Sequence, residues 1–551
     1  MKNSCASMVL LSALLFFAHV AFAQAAGFGI TGFRVSGNSL LPEAAIQNAL
    51  APFVGTDRTI KDVTEAADAL RHAYANAGYP IVQVFPPEQT LTGGEVALRV
   101  VEGKIARISV AGNKIYDAGN IRASLPALTE GMSPNTSKLA AALTLANENP
   151  AKQVAVNFQA ASVAGEVDAR IDVTEDHPQK YIVNYDNAGS MATGYDRLSL
   201  AYQNANLANR DHMLTLQYAT TIAHPSEVLN IVGGYRIPFY DHGLSLDLIG
   251  AYSDSKSNTT TTAGALQFTG RGTYAGARLN QSLSSTGEIR HKISWGIDYK
   301  DFKNDCNIAG STLPSCGSIT AQPVSAMYTV QYATPSAQAG GSIGYFTNLA
   351  GGTHGSQDQY TAARAESTRQ WDVWRLSGFV AVPLRNDWQL RFAANGQTTD
   401  DALVPAEQFG LGGAASVRGY DERTTAGDYG FNASLELYTP DLARINAFEN
   451  WQIRGLVFYD NGEVRRNYLQ PGELKKNTLE SIGFGVRASL RKDLSIKLDI
   501  AQVLKPWSVA TGQTDTPDKS SLARYLGLTR ANGPVRDKHE SSAHVAVSYS
   551  F

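Results

Sequence analysis

The sequence predicts a transmembrane β-barrel of sixteen antiparallel strands preceded by two small α+β modules. Three observations carry that prediction. From Tyr181 onward, segments of about ten residues alternate between apolar and polar side chains, the period of a strand with one face in lipid. The connections between those segments alternate between tight turns and longer loops. Between residues 28 and 175 the texture differs, and one five-element pattern occurs twice.

The sixteen expected strands are 180–187, 195–205, 211–221, 226–237, 243–254, 264–281, 288–302, 323–334, 338–347, 367–383, 387–397, 429–439, 451–461, 479–490, 493–504 and 541–551. In the second, Leu198, Leu200 and Tyr202 share a face; in the fifteenth, Leu494, Ile496, Leu498 and Ile500 do. A soluble sandwich would bury that face against a second sheet, whereas a membrane barrel turns it to lipid. The turns at 238–242 and 491–493 are tight, and the loops at 303–322, 398–428 and 505–540 are long. Short periplasmic turns and long outer loops are the outer-membrane pattern, and an even strand count returns both ends of the barrel to the periplasm. The closing strand puts Val545, Val547, Tyr549 and Phe551 on one face, ending in aromatics that favour the bilayer interface. An exposed soluble edge strand of that composition would invite aggregation.

The repeat lies ahead of the barrel. FRVSGN at 33–38 is echoed 75 positions later by ISVAGN at 108–113. Helical patterns at 42–50 and 60–77 then precede strand-like runs at 81–85 and 95–101. In the second copy the helices are 118–125 and 136–147, and the strands 153–158 and 166–173. Both copies read β-α-α-β-β, which divides the region into modules at 28–103 and 104–176.

The first residues, MKNSCASMVLLSALLFFAHVAFAQ, place Lys2 before an apolar run and end it at Ala21-Phe22-Ala23, a small-x-small processing site. This reads as a secretory signal peptide over 1–23; the competing reading, a buried helix, does not account for that site. Cys5 would leave with the signal. Cys306 and Cys316 enclose a short Gly/Ser/Pro segment, and in an oxidising compartment they read as a local disulfide. A metal site there would lack a neighbouring His or further Cys.

Net charge of −3 and a pI near 6.4 give no basic field for nucleic acid. After the signal no apolar run is long enough for a spanning helix. Phosphate-loop and HExxH motifs are absent from the sequence, no GxSxG nucleophile elbow is expected, and no two of the ten histidines have the i, i+4 spacing of a helical metal pair. No enzyme activity, cofactor or metal is expected.

One constellation stands apart. Between the eleventh and twelfth strands lies GLGGAASVRGY at 410–420, and the thirteenth ends FYDNG at 458–462. Strand parity turns Phe458, Asp460 and Gly462 to the lumen, opposite to Trp451, Ile453, Val457 and Tyr459. If loop 398–428 folds inward, Arg418 can form a bidentate pair with Asp460; otherwise Arg418 is a solvated loop residue. Gly410, Gly412, Gly413 and Gly419 permit a tight backbone path. Glu436, Arg454, Arg487, Lys497 and Asp499 share the inward parity and are expected to line a polar interior.

With its V-R-G-Y loop tip (Val417, Arg418, Gly419, Tyr420) and F-x-D-x-G strand (Phe458, Asp460, Gly462), the sequence resembles the superfamily of outer-membrane assembly and secretion barrels. The modules resemble POTRA domains. Two of them with sixteen strands are similar to the TpsB translocators of two-partner secretion, the haemolysin-activator type. VEGKI at 101–105, Asn149-Pro150 and Asp186-Asn187-x-Gly189 agree, so the resemblance covers essentially the whole mature chain. It implies an outer-membrane protein with periplasmic POTRA domains, surrounded by lipid and lipopolysaccharide and inserted with the barrel assembly machinery. It also implies a secreted TpsA exoprotein, an adhesin or haemolysin-like, as partner, exported unfolded without nucleotide. An insertase of the outer-membrane assembly class shares the loop motif but usually carries more POTRA modules, and a passive porin is the other alternative. Some family members carry a helix that plugs the barrel. Here only about five residues separate the processing site from the first strand pattern, so no plug helix is expected. Closure would then fall to the loop carrying Arg418 and to loop 505–540.

Overall fold

The alternating segments close on themselves as a barrel. The computed structural model describes residues 27–506 and 539–551, apart from 91–92, 190–193, 227, 256–257, 262–263, 268–269, 284–286, 304–306, 309–310, 313–316, 446–447 and 471–472. The expected signal peptide, Cys306, Cys316 and most of loop 505–540 lie outside the described residues.

The barrel strands are, in order, Gln179–Asp186, Arg197–Leu207, His212–Thr221, Leu229–Phe239, Leu244–Ser255, Gly270–Ser282, Ile289–Lys303, Ile319–Thr334, Ala337–Leu349, Asp372–Pro383, Gln389–Thr398, Tyr429–Tyr438, Trp451–Arg465, Lys476–Leu490, Leu494–Val503 and Ser541–Ser550. Each pairs antiparallel with its neighbour, and the sixteenth closes on the first. All sixteen expected strands are present. The sixth begins later than expected because Gly264–Gln267 pairs with Asn258–Thr261 in a separate hairpin. The tenth also begins later, since the chain before it forms the helix Gln357–Ala363, started by a reciprocal Ser356/Gln359 cap.

Alternation decides which side chains meet lipid. On the thirteenth strand Leu456, Phe458 and Asp460 are buried, while Val457 and Tyr459 are exposed. Around the barrel the outward set includes Leu200, Leu216, Ile231, Leu248, Ile297, Leu376 and Phe484, all exposed. An apolar band of this extent belongs in a hydrocarbon solvent. No helix among the described residues is long and apolar enough to cross a membrane; the strands cross it. At the periplasmic end Phe551 stacks on Tyr181 and Tyr549, each 5.7 Å away between ring centroids, and exchanges both backbone hydrogen bonds with Tyr181.

In the first module the sheet order is Gly32–Ser36, Glu95–Val101, Gln83–Phe85, with the central strand parallel to the first and antiparallel to the third. Helices Glu43–Leu50 and Ile60–Asn76 cover it, burying Ile46, Leu50, Val63, Leu70 and Tyr74 against Val96, Leu98 and Val100. The second module sets Lys104–Ala111, Glu166–Glu175 and Lys152–Ala160 in one sheet, with helices Ala118–Ala123 and Thr136–Ala146.

The repeat has a stereochemical cause. After the first strand of each module the chain turns at a glycine with positive φ, +82° at Gly37 and +89° at Gly112. A Cβ at either glycine would lie 2.3 Å from a carbonyl oxygen, that of Val100 or Val173. A carboxylate then holds the turn. Glu102 accepts the N–H groups of Ser39 (2.6 Å) and Leu40 (2.9 Å), and Glu175 those of Lys114 (2.8 Å), Ile115 (2.7 Å) and Tyr116 (3.0 Å). Burial pushes the Glu102 carboxyl up, but the hydrogen bonds from Ser39, Leu40 and Tyr74 together hold it below the ordinary glutamate range.

The core of the second module continues into the barrel. Ile108, Ile121, Leu125, Leu139 and Ile171 pack with Ala205 of the second barrel strand, and Tyr240 of the turn after the fourth packs against them. Polar groups complete the joint. Lys152, 1 % exposed, donates to Asp211 at 2.5 Å and to Asn120 at 3.0 Å, and Tyr240 donates to the same aspartate at 2.7 Å.

Candidate functional site

Loop 398–428 is a hairpin whose tip lies inside the barrel. Phe409–Leu411 pairs with Thr425–Gly427, Leu411 opposite Thr425, and the residues between them carry the V-R-G-Y sequence inward. The tip meets the twelfth to sixteenth strands, and each residue of the two motifs has a separate contact.

Val417 is fully buried with Leu411, Tyr420, Val464, Leu479 and Val503. Arg418, 5 % exposed, makes the bidentate pair: Nε donates to Asp460 Oδ2 and Nη2 to Oδ1, both at 2.7 Å. The Arg418 backbone N–H also donates to Asp460, at 3.1 Å, and Ser434 bridges the guanidinium (2.9 Å) and the carboxylate (2.6 Å). Beneath the pair lies Phe458, its ring centroid 3.5 Å from the Arg418 Cζ, a cation over an aromatic face. Gly462 leaves the space that Leu411 fills, since a Cβ there would come within 2.4 Å of the leucine Cδ1. Gly419 takes φ of +97° with its Cα against Ala501 and Val503, and its N–H donates to Nε2 of His544 at 3.0 Å. Tyr420, wholly buried, donates its hydroxyl to the carbonyls of Glu480 (3.0 Å) and Lys505 (2.6 Å).

The charges around Arg418 form a chain. Its Nη1 lies 2.9 Å from Glu436 and 3.6 Å from Asp499; Arg391 pairs with Glu436 at 3.1 Å and Arg487 with Asp499 at 2.8 Å. Arg391, Arg418 and Arg487 thus alternate with Glu436 and Asp499, and Asp460 branches from the central arginine. A buried charge is tolerated only when paired and hydrogen-bonded, and within this chain each one is. Parity alone makes Glu436, Arg487 and Asp499 wall residues, and the inward loop turns them into partners of Arg418. Lys497 lines the adjoining cavity. Arg454 sits elsewhere, 2.9 Å from Asp387 of a periplasmic turn.

Farther along the loop, Glu407 is buried between Lys300 (2.7 Å) and Arg375 (3.1 Å), and Asp428 pairs with Arg364 at 3.1 Å. These residues, with Ser434 and His544, escape a reading by motif. For Lys300, Arg375, Ser434 and His544 the sequence signal is inward parity, which other wall residues share, and Arg364, Glu407 and Asp428 lie in loops that have no parity to read. Among the described residues no group of three His, Cys, Asp or Glu side chains could hold a metal.

Comparison with known proteins places this geometry. The family model described as haemolysin secretion/activation protein ShlB/FhaC/HecB matches residues 165–488, and the ShlB-type POTRA domain model matches 28–103. The outer membrane transporter CdiB of Escherichia coli is 21% identical over 412 residues, 73% of this chain and 67% of that protein. The heme/hemopexin transporter protein HuxB of Haemophilus influenzae is 21% identical over 476 residues, 83% of this chain and 80% of its own. Among solved structures, CdiB from Escherichia coli superposes with a TM-score of 0.72 at 18% identity, covering 97% of this chain and 92% of that one. CdiB from Acinetobacter baumannii gives 0.66 at 16% identity, covering 98% and 93%. The family model spans most of the barrel and includes the V-R-G-Y loop tip at 417–420 and the F-x-D-x-G strand at 458–462; the chain belongs to the haemolysin secretion/activation (ShlB/FhaC/HecB) family of outer-membrane transporters, with its POTRA domains in the periplasm.

Proposed function

We propose that this transporter works in two-partner secretion, binding one secreted TpsA exoprotein through its POTRA domains and exporting it unfolded through the barrel. The observation that carries the reading is the inward hairpin. Beside the apolar contacts of Val417 and Tyr420, its tip is held to the wall by ion pairs and single hydrogen bonds, contacts that a polar lumen can exchange for others when the loop moves. A polypeptide crossing as an extended chain needs such an interior, where its own backbone groups find partners or water.

Recognition is assigned to the POTRA sheets. The strands Gln83–Phe85 and Lys152–Ala160 each lie at an edge of their own sheet, and the second alternates buried and exposed residues along its first half. An unfolded segment adding to such an edge gains main-chain hydrogen bonds, with side-chain pockets giving selectivity. Folding of the partner outside the cell supplies direction without nucleotide.

The test separates export from insertion. Arg418→Ala leaves the Asp460 carboxylate buried without its cation, which costs about 3–5 kcal/mol, and Asp460→Ala removes the bidentate partner and leaves Arg418 to Glu436 and Asp499 on the wall; either change unseats the tip. Both variants are expected to reach the outer membrane at wild-type level, judged by heat-modifiable migration, while partner secretion falls about tenfold or more. Undiminished secretion by both variants defeats the assignment. A passive porin, for which the polar lumen alone would speak, predicts a large steady conductance that these substitutions leave unchanged.

A further inference from the structure

We propose that His544 is a positioning residue for the inward loop, holding the Gly419 peptide to the last barrel strand as a third anchor beside the Arg418 pair and the Tyr420 hydroxyl. The proposal concerns how the loop is held in the resting barrel and stands whatever the chain exports.

The hydrogen bond has one direction. A backbone N–H can only donate, so the Nε2 atom that meets Gly419 at 3.0 Å is the acceptor. The contact is buried, with His544 only 5 % exposed. Gly419 has no side chain to pull it elsewhere, and its Cα faces Ala501 and Val503 on the neighbouring strand. Its peptide N–H is therefore aimed by this directed contact, between the anchors of Arg418 and Tyr420.

The strand around His544 is itself gripped. The ladder between the last and first strands runs only from Ala546 opposite Asp186 to Ser550 opposite Ile182. Beyond it the Asn187 side chain acts as a substitute peptide: its Nδ2 donates to the Ala543 carbonyl at 2.9 Å, and its Oδ1 accepts the Val545 N–H at 2.9 Å. Asn187 thus clasps both neighbours of His544, and its own backbone N–H donates to Val545 at 3.2 Å. On the other side His544 stands opposite Asp499, the carboxylate 3.6 Å from Arg418. The imidazole is aimed from a fixed backbone at a fixed point of the loop.

Conductance of the purified full-length chain in planar lipid bilayers tests the assignment. His544→Ala and His544→Leu remove the acceptor, whereas His544→Gln keeps one, its Oε1 reaching the place of Nε2. The two acceptor-free proteins are expected to show several-fold more frequent large openings, with the Gln variant returning to wild-type behaviour. A merely space-filling residue would let Leu substitute better than Gln. Wild-type conductance in all three variants overturns the proposal, and so does a Gln variant as leaky as Ala. Failure of both acceptor-free proteins to insert, beside a normal Gln variant, would assign His544 to barrel assembly and overturn it equally.

Discussion

Gly462 shows how much one absent side chain decides. Leu411, whose side chain fills the space beside it, is wholly buried and cannot swing away, and the Phe431 carbonyl lies 3.1 Å from the same added Cβ. Gly462→Ala is therefore an overpacking change at the base of the hairpin, of the kind that costs about 1–3 kcal/mol. The barrel ladder does not depend on that contact. We expect normal insertion, faster proteolysis of loop 398–428 in intact cells, and reduced secretion. Adding Leu411→Ala returns the lost space and should restore protection of the loop; a double variant as sensitive as the single one would disprove the steric account. Asp460, Phe458 and Gly462 thus contribute by three unrelated means, charge pairing, a polarised aromatic face and empty volume. Their spacing of two follows from strand parity, because only alternate residues see the lumen.

Among the elements, the second module and the barrel turns are joined by a buried charge. Burial pulls the Lys152 ammonium below its ordinary value of 10.5, and Asp211 opposes that shift without cancelling it. Asp211→Ala leaves the ammonium with Asn120 and the face of the Tyr116 ring but without its paired carboxylate, and is expected to cost about 3–5 kcal/mol at neutral pH. Lys152→Met should cost less, since Asp211 retains Tyr240 and Asn120 as donors. The pH dependence separates the two. A lysine whose folded pKa is depressed binds fewer protons folded than unfolded between that pKa and 10.5, so stability rises with pH across the window. Urea unfolding of Asp211→Ala should therefore recover as pH approaches 10.5, while Lys152→Met shows no such recovery. Equal pH profiles would contradict the buried-ammonium description. None of this joint was legible in the sequence, where Lys152 precedes an ordinary strand and Asp211 follows a polar turn. The barrel strands were legible because lipid outside and polar lumen inside impose period two on every one of them. The Arg418 pair was legible because both partners stand in compact motifs. His544 was not, since its partner is a backbone N–H that leaves no mark on residue type.

For the molecule as a whole, the two POTRA modules share a turn chemistry but not a dependence on the barrel. Gly37 with Glu102, and Gly112 with Glu175, solve the same turn in the same way. The first module buries its own core from Ile30 to Val100 within one compact unit, and among the described residues that core is made of the module's own side chains. The second shares its core with Ala205 and Tyr240, and supplies the cation for Asp211. Their removal should therefore have opposite consequences for the barrel. Deleting 28–103 takes away the docking edge proposed above and leaves the core shared by the second module and the barrel intact, so heat-modifiable barrel is expected in the outer membrane at normal level with partner secretion abolished. Deleting 104–176 strips an apolar patch bare and leaves the Asp211 carboxylate without its lysine, so the barrel itself should be scarce and denature at lower temperature. Quantitative blotting of outer-membrane fractions with a denaturation series on the folded band reads both effects. Normal export without residues 28–103 would remove the first module from recognition, and a barrel equally stable without 104–176 would show the shared core to be dispensable.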